Sequence, residues 1–181
     1  MSELQSSLVS IARSYLGKTE IPSNLGFHDP EFEKQIRTTG WTPPEPWCAA
    51  LLKLVFSQAF SQLQPDYIDK IHQYFTLSAV QTYDNLKACK EFHVTQTPEA
   101  GYAVIFKEGN GPFGHAGLVT EVNGDSFKFI SGNTTDPAHP MSGMNNPREG
   151  YTVAEKTHSL SAPFNPHGLN LDGFISPDPI A

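Results

Sequence analysis

Gly114-His-Ala-Gly-Leu-Val-Thr-Glu-Val-Asn-Gly-Asp-Ser-Phe-Lys-Phe-Ile-Ser-Gly-Asn133 reads as two strands joined by a turn. His115 to Val122 is an apolar run, and Asn123-Gly124 is a strong hairpin signal. Ser126 to Ile130 then alternates with the period of two expected of a partner strand. Upstream, Tyr102 to Phe106 is another short apolar run, set between Gly101 and the turn-rich Gly109-Asn-Gly-Pro112. Downstream, Tyr151 to Lys156 and Gly173 to Ser176 read as closing strands, with a loop around Pro163 to Gly168. The 19-residue stretch from Gly132 to Gly150 is rich in Gly, Pro, Asn and Ser, and loops of that length tend to carry function.

The first half has a different period. Leu4, Leu8, Ile11, Ala12 and Tyr15 recur at the spacing of one helical face over residues 2 to 16, with Ser2 and Gln5 fitting a capping box and Gly17 a stop. Residues 20 to 45 read as irregular, with one short helix after Pro30. Pro46 suits the first position of a helix running to about Phe60. A further helical stretch covers roughly Pro65 to Cys89, broken near Thr76, with Ser78 as a new N-cap. Helices first and an antiparallel sheet after them make the chain α+β, a single domain over residues 1–181.

Composition excludes several function classes. The 181 residues carry 12 basic and 19 acidic side chains, a formal charge of −7 that opposes non-specific nucleic-acid binding. No apolar run approaches the ~20 residues that span a bilayer. Met1-Ser-Glu-Leu-Gln5 lacks a basic and then apolar leader, so the expectation is synthesis in the cytoplasm without a Sec signal. Two cysteines make no disulfide framework.

Three residues could carry chemistry. Cys48 follows Pro46-Trp47 and falls in the first turn of its helix, where free backbone N–H groups and the dipole favour a thiolate. In isolation, a buried free cysteine is more often inert. His115 opens a strand among small neighbours, a place suited to a general base, although six other histidines show how common an ordinary loop histidine is here. Asn133 lies where the hairpin brings the end of the second strand beside the start of the first, and it could hold the imidazole. Its bland reading is turn chemistry, and Ser131 is the alternative orienter, decided by hairpin register. The remaining histidines show no metal-ligand spacing; His139 and His167 are loop residues that could touch substrate. No metal and no cofactor are expected.

Glu45-Pro-Trp-Cys-Ala-Ala-Leu51, Pro98-Glu-Ala-Gly-Tyr-Ala-Val-Ile-Phe106, Gly114-His-Ala-Gly-Leu-Val119 and Phe129-Ile-Ser-Gly-Asn-Thr134 together resemble, in this order, a CHAP domain. This is the cysteine, histidine-dependent amidohydrolase/peptidase family, related to papain-like and NlpC-type hydrolases. Ile11-Ala-Arg-Ser-Tyr-Leu-Gly17 with Glu20, and Asp172-Gly-Phe-Ile-Ser-Pro177, are similar to the family's opening helix and closing strand. The resemblance implies N-terminal helices packed on a C-terminal antiparallel sheet and a Cys48–His115–Asn133 site. It implies a peptidoglycan hydrolase, either an N-acetylmuramoyl-L-alanine amidase or an endopeptidase of the stem peptide or crossbridge.

The chain departs from the family at three places. Tyr102 follows Gly101 where Asp is usual, and Ser131 stands where Glu often precedes Gly-Asn. Trp47 replaces a glutamine seen before the cysteine in some members. The Cys48 N–H is then one oxyanion donor, with Asn24 or Glu20 as candidates for the other. Trp47, Phe113 and His139 are candidate substrate contacts. The expected partners are a peptidoglycan stem peptide and, for a secreted antibacterial effector, an immunity protein or delivery machinery; no nucleic acid or membrane is expected. A bacteriolytic phage lysin is the other setting, with action in the periplasm or wall after export or lysis. The competing readings are a catalytically silent binding module and a protease or deamidase acting on proteins.

Overall fold

The computed structural model describes residues 1–136 and 150–180. The first helix, α1 (Glu3–Ser14), begins as its sequence demands. Ser2 Oγ accepts the Gln5 N–H, the Gln5 side chain answers to the Ser2 N–H, and Gly17 turns the chain at φ +79°. Leu4, Leu8, Ala12 and Tyr15 are buried from the expected face, and Val9 joins them. A two-stranded ribbon follows, β1 (Glu20–Ile21) with β2 (Gly26–Phe27). Two residues per strand are too few to show a period. Next come α2 (Pro30–Arg37), capped by the Asp29 carboxylate, and α3 (Cys48–Leu63), buried along most of its circumference. A 3₁₀ turn (Pro65–Tyr67), α4 (Ile68–Tyr74) and α5 (Ala79–Ala88) complete the helices, with Ser78 Oγ capping α5.

The second half is an antiparallel sheet made of β3 (Phe92–Thr95), β4 (Ala103–Glu108), β5 (Gly114–Asn123), β6 (Ser126–Thr134), β7 (Thr152–Ser159) and β8 (Leu169–Pro179). Its order is β3-β8-β4-β5-β6-β7. β3 has no counterpart in the sequence reading; its four residues pair only with the end of β8. In the hairpin, Asn123 pairs with Ser126, so the turn is Gly124-Asp125, one residue later than the dipeptide signal. The expected loop also starts later than Gly132, because β6 continues to Thr134. Residues 137–149, including His139, lie outside the described residues.

Alternation sends side chains to both faces. Ala103, Ile105, Ala116, Leu118, Ile130 and Ile175 meet α1, α3 and α5 in the main core. Val104, Phe106, Val119, Phe127, Phe129 and Phe174 form a second core on the other face. The ring centroids of Phe127 and Phe174 are 5.2 Å apart, and those of Phe106 and His158 5.0 Å. Each pair sits three places apart in the sheet, about 14 Å if the sheet were flat. The sheet therefore curls on itself and closes an aromatic core without a second layer of helices. Among the described residues no helix is long and apolar enough to cross a membrane.

Candidate active site

Helix α3 starts at Cys48, with Trp47 as N-cap, and not at Pro46. The reason is local. Glu45 donates its N–H to Thr42 at 3.1 Å, while its carbonyl, which would have taken the first helical bond, accepts the Trp41 indole N–H at 2.7 Å. The turn is thus closed on itself before Pro46. Trp47 offers no side-chain cap, so the first N–H groups of α3 remain available for an anion at Cys48.

Helix α3 presents Cys48 at a gap in the sheet. The β5–β6 ladder is paired from Asn123↔Ser126 back to Leu118↔Ile130 and stops there. Val119 directs its N–H to Tyr102 on the β4 side. By alternation the Ala116 N–H faces the β6 side, into the gap. It lies beside Cys48 there: Cys48 and Ala116 line the same small cavity. Burial pushes the thiol above its ordinary value, and the backbone N–H groups nearby, those of Ala116, Ala49 and Cys48, pull against that shift without overcoming it. Cys48 is 7% exposed. Beside it, a cavity of about 10 Å³ is bounded by Leu51, Val55, Ala116, Gly117 and Ser131, room for about one water.

His115 stands next to Ala116, so the strand that lines the Cys48 cavity also carries the candidate base. The ring is hydrogen-bonded through Nε2 to Ser131 Oγ at 3.0 Å. Gly117 makes the Ser131 contact sterically feasible: a Cβ there would lie 2.7 Å from the Phe129 ring and 3.3 Å from Ser131 Cβ. The glycine makes room for β6, rather than uncovering the imidazole. Although part of the ring reaches the surface, dense packing lowers the imidazole pKa to about 4, and the nearby Lys156 ammonium adds to the shift. The resting pair is thus a neutral thiol and a neutral imidazole.

Asn133 was the expected partner of His115, with Ser131 as the alternative; the hydrogen bond to the ring is made by Ser131. A bulge interrupts the β6–β7 register between Ser131 and Thr134, and Asn133 adopts φ +50°. Its Oδ1 is buried without a hydrogen-bond partner. Trp47 is corrected as a substrate contact. It is fully buried, edge-on to Phe27 at 4.8 Å, with its indole N–H donated to Glu20 Oε2 at 2.6 Å. Glu20 is fully buried too, and its other oxygen accepts the Asn24 N–H at 3.4 Å. A carboxylate is an acceptor, so as an ionised group Glu20 supplies no donor to an oxyanion and holds Trp47 instead. Asn24 is buried in the same network. Phe113, another expected substrate contact, is 71% exposed, two residues before His115. The Glu20–Trp47 bond and the Lys156 charge had no signal in the sequence, since both join segments far apart in the chain. Among the described residues, no three His, Cys, Asp or Glu converge as metal ligands.

A family model for the CHAP domain matches residues 39–133, more than half of the chain and the whole span from the turn before Cys48 to Asn133. The chain belongs to the CHAP domain family. No curated protein and no solved structure matches it. CHAP domains are amidase- and peptidase-type hydrolases acting on peptidoglycan, which is the coarse activity that membership carries. The CHAP match ends within β6, so β7 and β8, which complete the sheet, lie beyond it.

Proposed function

We propose that this CHAP domain hydrolyses an amide bond of peptidoglycan, with Cys48 as nucleophile, His115 as base and Ser131 as the group that holds the imidazole. The observation carrying this reading is that Cys48, at the uncapped start of α3, lines one small cavity with Ala116, the neighbour of His115, and with Ser131, the hydrogen-bond partner of His115. Substrate binding brings the ring to the sulfur; catalytic hydrogen bonds often tighten only in the substrate complex. His115 takes the thiol proton as Sγ bonds to the carbonyl carbon. The oxyanion forms against the N–H groups at the start of α3. The C–N bond breaks as the imidazolium protonates the leaving amine. Water, deprotonated by His115, then cleaves the thioester and frees Cys48.

The cut bond is that of an N-acetylmuramoyl-L-alanine amidase or of an endopeptidase in the stem peptide or crossbridge. A phage lysin or a secreted antibacterial effector guarded by an immunity protein would bring such an enzyme to the wall. A second reading, a silent wall-peptide-binding module, draws support from the neutral thiol–imidazole pair and the absence of a carboxylate at Ser131. The test is digestion of purified sacculi read by mass spectrometry. Wild type should release defined muropeptides, while Cys48→Ala and His115→Ala should each abolish release and retain the fold. Undiminished turnover in Cys48→Ala would remove the mechanism, and stoichiometric binding without release by wild type would establish the silent module.

A further inference from the structure

Glu20 is a fully buried carboxylate that the reaction scheme leaves unused. One of its oxygens receives the indole N–H of Trp47, the residue that caps α3 and precedes the nucleophile. The Trp47 ring is fixed on two further sides. Phe27 and Phe32 meet it edge-on at 4.8 and 6.1 Å, and its benzene edge fills the place where residue 132 would carry a side chain. A Cβ on Gly132 would lie 2.3 Å from Cζ3 of Trp47. Gly132 directly follows Ser131, the partner of His115. One indole therefore touches the backbone on both sides of the site: its own main chain leads into Cys48, and its ring edge supports the strand that holds His115.

We infer that Glu20 is a positioning residue: by fixing the rotation of the Trp47 indole it sets Cys48 and Ser131 at their working separation. The inference rests on the proposed Cys48–His115 chemistry. A ring pinned only by packing could turn about its side-chain bonds, whereas a hydrogen bond to a buried acceptor selects one orientation. Such support acts on geometry, so it enters kcat and the reactivity of the thiol more than substrate affinity.

The role depends on an acceptor at the right reach, which separates it from a role for negative charge. Glu20→Gln keeps an oxygen for the Trp47 N–H. Glu20→Asp keeps the charge but is one methylene too short. Glu20→Ala removes both, and Trp47→Phe removes the donor while keeping most of the ring. Two readouts are needed on each folded variant: kcat and KM on muropeptides, and the rate of iodoacetamide alkylation at Cys48, with Cys89 as internal reference. Glu20→Ala and Glu20→Asp should each lower kcat by about 10–100-fold with KM within about threefold. Both should also change the Cys48 alkylation rate while leaving Cys89 alone. Glu20→Gln should recover most of the activity. Trp47→Phe should match Glu20→Ala, and adding Glu20→Ala to it should cost nothing more.

Activity retained in Glu20→Asp and lost in Glu20→Gln would overturn the inference and make Glu20 an electrostatic element. Lowered thermal midpoints with unchanged kcat and alkylation in every variant would also overturn it, reducing the contact to structure. Should Glu20→Ala fail to fold, the Gln, Asp and Trp47→Phe comparison still decides. A wild type without turnover would count against the hydrolase reading alone, because the alkylation rates would still report on Glu20.

Discussion

Ser131 carries the consequences of a single side-chain exchange. A carboxylate beside imidazole Nε2 can only accept, so it imposes the tautomer whose other nitrogen is free to take a proton. A serine hydroxyl can accept or donate, and it adds no charge to stabilise the imidazolium. Ser131→Ala should therefore lower kcat on the order of 10²-fold through lost orientation, and Asn133→Ala should act mainly on stability because asparagine tolerates its φ of +50° better than alanine does. Measured kcat and thermal midpoints for the two variants check this ranking. The acid limb of kcat/KM belongs near pH 4, where the His115 imidazole titrates. Activity should fall as pH drops through that value, since the base must be neutral, and Ser131→Glu should move the limb upward. Stability follows the same group. A lowered histidine pKa contributes fully above the unfolded value near 6.5, and the contribution is lost as pH falls from there to about 4. The difference in denaturation midpoint between wild type and His115→Gln should shrink across that window. The candidate pair Cys48 and His115 was legible from motif order and position. The His115–Ser131 hydrogen bond was not, because it depends on how β6 lies against β5, which no local pattern announces.

At the scale of elements, what could be read in advance was what the chain specifies within a few residues. The caps at Ser2 and Ser78, the proline-led α2 and the β5–β6 hairpin are all local chemistry, and they stand where the pattern puts them. The start of α3 shows the opposite case. Pro46 satisfies the rule for a first helical residue, yet the Trp41 indole takes the Glu45 carbonyl and shifts the start to the nucleophile itself. That shift places Cys48 at the first position of the helix. The β5–β6 gap is equally a product of elements in contact, since Gly117 admits β6 and the α3 terminus occupies the opening. Gly117→Ala should force β6 away from β5 and break the His115–Ser131 bond. Its kcat loss should approach that of Ser131→Ala, and combining the two should add little, which a double-mutant cycle measures. Full additivity would mean that Gly117 acts on the fold alone.

Across the whole molecule, the curled sheet separates the two tasks of the protein. The helix-covered face packs against α3 and Cys48, whereas the opposite face, with His115 paired to Phe106 at its margin, buries Phe106, Phe127, Phe129 and Phe174 against one another and contributes cohesion. Sequence alternation identified strands with apolar residues but not this second core, because rings three strands apart meet only after the sheet has curled. Phe127 tests the separation. It is 1% exposed and touches Phe129, His158 and Phe174, on three different strands. Truncation to alanine removes a large ring from a site that cannot fully collapse, a loss of about 3–5 kcal/mol. Phe127→Ala should therefore lower the unfolding free energy by that amount, measured by denaturant titration. If residues 1–181 form one cooperative unit, circular dichroism and tryptophan fluorescence should report the same transition, since both Trp41 and Trp47 lie in the helical half, far in sequence from Phe127. At a temperature where the variant stays folded, kcat/KM should remain within about threefold of wild type, because no contact of Phe127 reaches Cys48 or Ser131. A sheet that unfolded ahead of the tryptophan signal would divide the chain into two units. A large fall in kcat/KM in the folded variant would show instead that the curl of the sheet itself sets the gap into which Cys48 fits.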